Sequence, residues 1–133
     1  MKKKTNKKTK KNNKMSLPFK VLKPVARFLS QEVKRLERRK QSIATEDPFN
    51  DTRRISDNAA SDTDIAEQVG HERAKALEKQ LNRKIIQLKK ALSRIKIGRY
   101  GSCEKCGGFI DTDRLMIMPE ATLCIKCEKK KEK

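Results

Sequence analysis

The sequence predicts a mainly α-helical chain. An antiparallel two-helix coiled-coil hairpin is followed by a small four-cysteine module and a short C-terminal helix, with a disordered basic tail in front. Three observations predict this. Apolar residues recur at near-heptad spacing along two long stretches. Between them lies a run rich in Asn, Asp, Ser and Thr, the composition of a connection. All four cysteines of the chain fall within 103–127, as two CxxC pairs separated by seventeen residues.

Length and composition set the bounds. A chain of 133 residues is at most one ordinary domain. Aromatics make up 4% of it, tryptophan is absent and 39% of residues are charged, which is little material for a large core. Lys2 to Lys14 holds eight lysines and no acid, so residues 1–16 are expected to be a disordered tail. With the basic end 129–133, this tail accounts for much of the net charge of +18. Such ends are expected to make weak, sequence-independent contact with nucleic acid. Lys20, Lys23 and Arg27 interrupt any apolar secretory segment, and no stretch approaches a membrane span. A cytoplasmic protein is expected, and a reducing compartment favours metal over disulfide at the cysteines.

The elements follow in order within a hairpin expected over 17–98. A first helix is expected from Pro24, a residue tolerated in a first turn. Val25, Phe28, Leu29, Val33, Leu36 and Ile43 share one face of it. Pro48 should end it near Glu46. Residues 46–64 hold six acids and two arginines and are read as the acidic tip of the hairpin, with a short helical turn at Thr52 to Ser56. Ser61, Asp62 or Thr63 can cap the second helix, with Glu67 closing a capping box. That helix should run from about Asp62 to Ile97, roughly 50 Å. Leu77, Leu81, Ile85, Leu88, Leu92 and Ile95 form its stripe, and Gly98 stops it. One apolar stripe this long needs a partner. The first helix folded back is the candidate, giving a monomer; self-association is the alternative. Gly70 interrupts the second helix near the tip at about 1 kcal/mol relative to alanine. His71, the one histidine, is expected to be solvated.

Cys103, Cys106, Cys124 and Cys127 fit the C-x2-C-x(15–20)-C-x2-C spacing of a zinc site. A CxxC turn aims both sulfurs at one centre, and Gly107 and Gly108 supply the positive φ and close approach that a knuckle needs. Four cysteine ligands leave no open position for a substrate water, so the Zn2+ is expected to be structural. The module is expected over 99–128, with Phe109, Ile110, Leu115, Ile117 and Met118 as its small core and a short basic helix after Cys124. No Ser/His/Asp set, phosphate-binding glycine loop or HExxH occurs. An exposed tip offers no desolvated pocket to tune its carboxylates, so no enzyme is expected.

The segment YGSCEKCGGFIDTDRLMIMPEATLCIKC, following a helical hairpin, resembles the DksA/TraR family of bacterial transcription regulators. The matching positions are Tyr100, Gly101, Cys103, Cys106 and Gly107, then Ile110, then Arg114 and Leu115, then Pro119, Ala121, Cys124 and Cys127. The resemblance covers about residues 24 to 128. It implies a protein that binds RNA polymerase: the coiled coil enters the secondary channel, tip acids approach the catalytic centre and the zinc module braces the hairpin base. The family's tip motif is D-x-x-D-x-A. Here Asp64 and Ala66 match it, Ser61 replaces the first acid, and Asp62 stands one place along. Met118 precedes Pro119 where alarmone-responsive members carry a base, so alarmone binding is not implied.

Two other readings compete. A basic zinc ribbon could bind DNA or RNA directly; its charge favours this, whereas only Tyr100 and Phe109 near the cysteines could stack on bases. A redox-sensing thiol protein would release zinc under mild peroxide.

Overall fold

The computed structural model describes residues 17–51 and 61–132. The N-terminal lysine tail and the turn expected at Thr52 to Ser56 lie outside these residues. Four α-helices and one 3-10 turn make up the described fold: α1 (Phe19–Glu46), the 3-10 turn (Pro48–Asn50), α2 (Ser61–Lys96), α3 (Thr112–Ile117) and α4 (Ile125–Lys131). There is no β-sheet among the described residues, only an isolated antiparallel bridge between Ser102 and Phe109.

The two long helices pack along one seam, as their apolar spacing requires. Leu22, Leu29, Val33 and Leu36 of α1 meet Ile85, Leu88, Ala91 and Ile95 of α2 in a single cluster that also takes in Tyr100. Leu29 and Leu88 are sealed from solvent, at 0% and 1% exposure. Ile43 continues the buried face toward the end of α1.

α1 begins five residues before Pro24. Leu22 stands one heptad before Leu29 and is buried in the seam, which holds the extra turn in place. The backbone N–H groups of Val21 and Leu22 bond to the Pro18 carbonyl and anchor that turn. Pro24 therefore sits inside the helix, where it cannot supply an i→i−4 bond. Phe28, expected in the seam, is 53% exposed, because it lies one position off the Leu22–Leu29–Val33 line. Leu77 is also exposed: the tight seam on α2 begins further along, with Leu81 half-buried and Ile85 buried.

The end of α1 follows the sequence closely. Asp47 leaves the helix in an extended conformation and Pro48 starts the 3-10 turn. Here the chain crosses α2. A side chain at Gly70 would place its Cβ 3.1 Å from Pro48 Cγ, so the glycine is explained by close approach. His71 is not solvated. Its Nδ1 lies 2.7 Å from an Asp47 carboxylate oxygen, and Phe49 stacks on its ring with centroids 4.0 Å apart. Burial pushes the Asp47 carboxyl up. The bonds from His71 and from the Phe49 N–H outweigh it and hold the group below its ordinary value.

Truncating the sealed seam should be costly. Leu29→Ala is expected to lose about 2–5 kcal/mol of unfolding free energy. Ile86→Ala, on an exposed side chain of the same rod, should change it by less than about 0.5 kcal/mol. Thermal and denaturant unfolding of the zinc-loaded protein followed by circular dichroism reads both.

Candidate metal centre

Gly98, at φ +71°, ends α2, and the chain turns into the cysteine module. A second positive-φ glycine, Gly101, lets the backbone reverse; its carbonyl accepts from the Ile110 N–H at 2.8 Å. The first knuckle closes through Cys103 N–H to the Gly108 carbonyl at 2.7 Å and Gly107 N–H to the Cys103 carbonyl at 3.0 Å. Gly107 takes φ +70°, and a Cβ on Gly108 would stand 3.4 Å from the Cys106 sulfur. Gly107 thus supplies the positive φ read from the sequence, whereas the space at Gly108 is that of an ordinary van der Waals contact. The second knuckle is the entry to α4, where the N–H groups of Cys127 and Glu128 bond to the Cys124 carbonyl.

The fold brings all four sulfurs within 4.8 Å of one another. Cys106 Sγ and Cys124 Sγ lie 3.7 Å apart. Four sulfurs at ~2.3 Å from one zinc stand about 3.8 Å from each other, so this spacing is that of a tetrahedron edge. It is far too long for a disulfide, and all four cysteines are free. The thiol chemistry fits a dication as well. Burial raises the Cys103 thiol, but backbone hydrogen bonds from Cys106, Cys124 and Lys105 reverse this and draw it below its ordinary value. The Cys127 thiol is pushed up, first by its bond to Cys124, then by burial and by the neighbouring Cys103. Four thiolates this close repel one another, and a divalent cation at their centre removes the conflict.

The module is thinly packed. Ile110 and Leu123 are the only buried residues that join Cys103 and Cys127 in its core, with Leu115 half-buried against them. Of the five side chains expected there, Phe109, Ile117 and Met118 are exposed, Ile117 at 82%. The reason is α3: a six-residue helix, capped by Asp111, which turns Leu115 inward and Met116 and Ile117 outward.

Polar contacts join the module to α2, and the sequence reading did not find them. Lys84 bonds to Glu120, whose carboxylate is 6% exposed. Lys90 and Arg94 both reach Glu104, at 2.8 and 3.3 Å. Arg94 also donates to the carbonyls of Arg99 and Ser102. Tyr100, buried at the seam's end, donates its hydroxyl to the Pro119 carbonyl at 2.8 Å. Within the module Arg114 pairs with Glu128 at 2.9 Å. The contacts from Lys84, Lys90 and Tyr100 span 14 to 36 residues of sequence, a separation that helix periodicity does not register.

The other residues singled out from the sequence lie at the far end. Asp62, Asp64 and Ala66 occupy the first two turns of α2, and Asp64 and Ala66 are exposed. The remainder of α2 separates them from the cysteines by about 50 Å.

Two measurements test this geometry. Burial, reinforced by the Glu120 carboxylate, raises the Tyr100 hydroxyl to about 12. The folded state thus favours neutral Tyr100. That stabilisation is complete below about pH 10 and is lost as pH rises through about 12. The chain has one tyrosine and no tryptophan, so phenolate absorbance should titrate near 12 when folded and near 10 in denaturant. A folded midpoint near 10 would contradict the burial and the bond to Pro119. Separately, stripping the metal with a chelator should abolish amide-exchange protection in residues 101–131 while the seam of α1 and α2 keeps its own. Two buried aliphatic residues cannot hold the module without the metal.

Residues 98–133 match the family model of the prokaryotic DksA/TraR C4-type zinc finger. Among solved structures, the chain is similar to transcription factor DksA2 from Pseudomonas aeruginosa, at 22% identity and a TM-score of 0.62. That match covers 80% of this chain and 79% of the other, and at this identity it is a likeness of fold. No curated protein matches the chain significantly. A C4-type zinc finger with four sulfurs at metal-binding distance carries one structural zinc. The finger at residues 98–133 is thus of the DksA/TraR C4 type, on a chain whose fold is similar to that of DksA2.

Proposed function

We propose that the chain is a transcription regulator that binds bacterial RNA polymerase as a monomer in the cytoplasm, without enzymatic activity of its own. In this reading the hairpin enters the polymerase secondary channel tip first, and the tip carboxylates act near the catalytic centre. Cys103, Cys106, Cys124 and Cys127 ligate the zinc, and the finger holds the base of the rod.

The observation that carries the reading is the state of Asp64. Most of the described acids in this basic chain are engaged within the fold. Glu32, Glu37, Glu104, Glu120 and Glu128 pair with lysine or arginine, and Asp47 pairs with His71. Asp64 is exposed and makes no ion pair among the described residues. It stands on a rigid support, at the far end of a helix about 54 Å long. The paired helices form a rod roughly 20–24 Å across, a shape that carries a charge deep into a channel. A carboxylate delivered beside a magnesium-bearing site changes the local field, whether or not it touches the metal. Ala66 adds little side-chain bulk beside it, and Asp62 is a second acid in the sequence of the first turn. Support for the monomer comes from the seam, which α1 and α2 already fill within one chain.

Asp64→Asn removes the charge and keeps the size. At matched occupancy on core RNA polymerase, the variant is expected to bind like the wild type and to lose its effect on transcription. Cys127→Ser is expected to lose zinc and, with the finger unfolded, polymerase affinity. Absence of polymerase binding by the zinc-loaded wild type at physiological salt would overturn the reading.

A further inference from the structure

The outward face of α1, opposite the seam, carries a feature that the polymerase reading does not use. Lys20, Lys23, Pro24, Arg27, Phe28 and Gln31 recur at steps of three and four residues and line an open groove of about 350 Å³. No acid occurs from Phe19 to Gln31. Lys20, Lys23 and Arg27 make no ion pair among the described residues, whereas cations further along the rod do: Arg35 pairs with Glu32, and Lys89 with Glu37. Phe28 forms one wall of the groove at 53% exposure, on a helix whose other face had a seam to bury it in.

We infer that this groove is a binding site for single-stranded nucleic acid, with Lys20, Lys23 and Arg27 on the phosphates and Phe28 stacked on a base. A row of unpaired cations beside an exposed aromatic ring is the combination by which proteins hold single strands without reading their sequence. The cations lie about one helical turn apart along the groove, so that one strand laid along it can meet all three. An acidic protein surface would use the cations and leave the ring without a partner. The eight lysines at positions 2–14 precede this helix in the sequence, and such a basic run raises the encounter rate with any polyanion. Recognition runs through phosphates and base faces, so RNA and DNA strands are both ligands.

The test is fluorescence anisotropy with the full zinc-loaded chain, without polymerase, so its outcome is independent of the function proposed above. The probes are a 15-nucleotide RNA, the DNA strand of the same sequence and the 15-base-pair duplex, each at 50 and 200 mM salt. Phe28→Ala is expected to weaken binding of both single strands by about five-fold or more and to leave the duplex unchanged. The triple variant Lys20→Gln/Lys23→Gln/Arg27→Gln should flatten the single-strand salt slope by about 2, at roughly 0.7 per phosphate contact. An equal removal of charge from α2, Arg73→Gln/Lys75→Gln/Lys79→Gln, should have a clearly smaller effect. The inference is overturned if neither single strand binds, if both triple variants lose equally, or if Phe28→Ala binds single strands like the wild type. It is likewise overturned if the α1 triple variant keeps the wild-type single-strand affinity and salt slope. Circular dichroism confirms that each variant is folded.

Discussion

The seam between α1 and α2 is the interaction on which the rest of the molecule depends. A chain with so few large apolar residues cannot build a globular core, but it can build a line of contacts two side chains wide. Leu29 and Leu88 seal the middle of that line. A single buried stripe on each helix leaves the other faces in solvent, so the hairpin is a rod. Its two ends are far apart because nothing in the composition can draw them together.

The second consequence is that the zinc finger must be attached by polar chemistry. Its own core is Ile110, Leu123 and the cysteines, too small to fuse with the seam except where Tyr100 and Leu115 bridge them. Lys84 with Glu120, Lys90 and Arg94 with Glu104, and the Tyr100 hydroxyl on Pro119 supply the rest. The exposed pairs contribute little individually. Glu120 differs: a buried carboxylate without a partner is costly, so Lys84 fixes which face of α2 the finger occupies more than it adds stability. The orientation of the finger on the rod is therefore set by a few charged residues, while its existence is set by the metal.

The rod and the metal centre were legible in the sequence because both rest on local spacing. Heptad steps marked α2, and the cap residues 61–63 and Gly98 placed its ends within a residue; Pro48 marked the end of α1, and the two CxxC pairs with Gly107 and Gly108 marked the knuckles. The misreadings share one cause. Leu77 lies on the apolar stripe and Phe28 one position off it, and Ile117 and Met118 lie near the cysteines, yet burial is decided by how much partner surface stands opposite each position. The early start of α1 was hidden by Pro24, whose local cost is overridden by the packing of Leu22. His71 was read as solvated because Asp47 and Phe49, its partners, stand more than twenty residues away. The docking residues Lys84, Arg94 and Glu120 carry no spacing signal at all.

The distribution of charge then has a physical logic. In a chain of +18, an acid placed at random soon finds a cation, and most of the described acids are engaged in this way or with a backbone group. Asp64 stands on a helix end that runs past the crossing: α2 extends nine residues before it reaches Gly70 and His71. Cations are in excess over the chain as a whole, and their arrangement informs where it departs from a uniform coat. The first turns of α1 depart from it in two ways, since they carry no acids and they hold a large aromatic ring in solvent. A phenylalanine held in solvent beside unpaired lysines leaves its ring face unburied, and a base stacked on the ring would cover it.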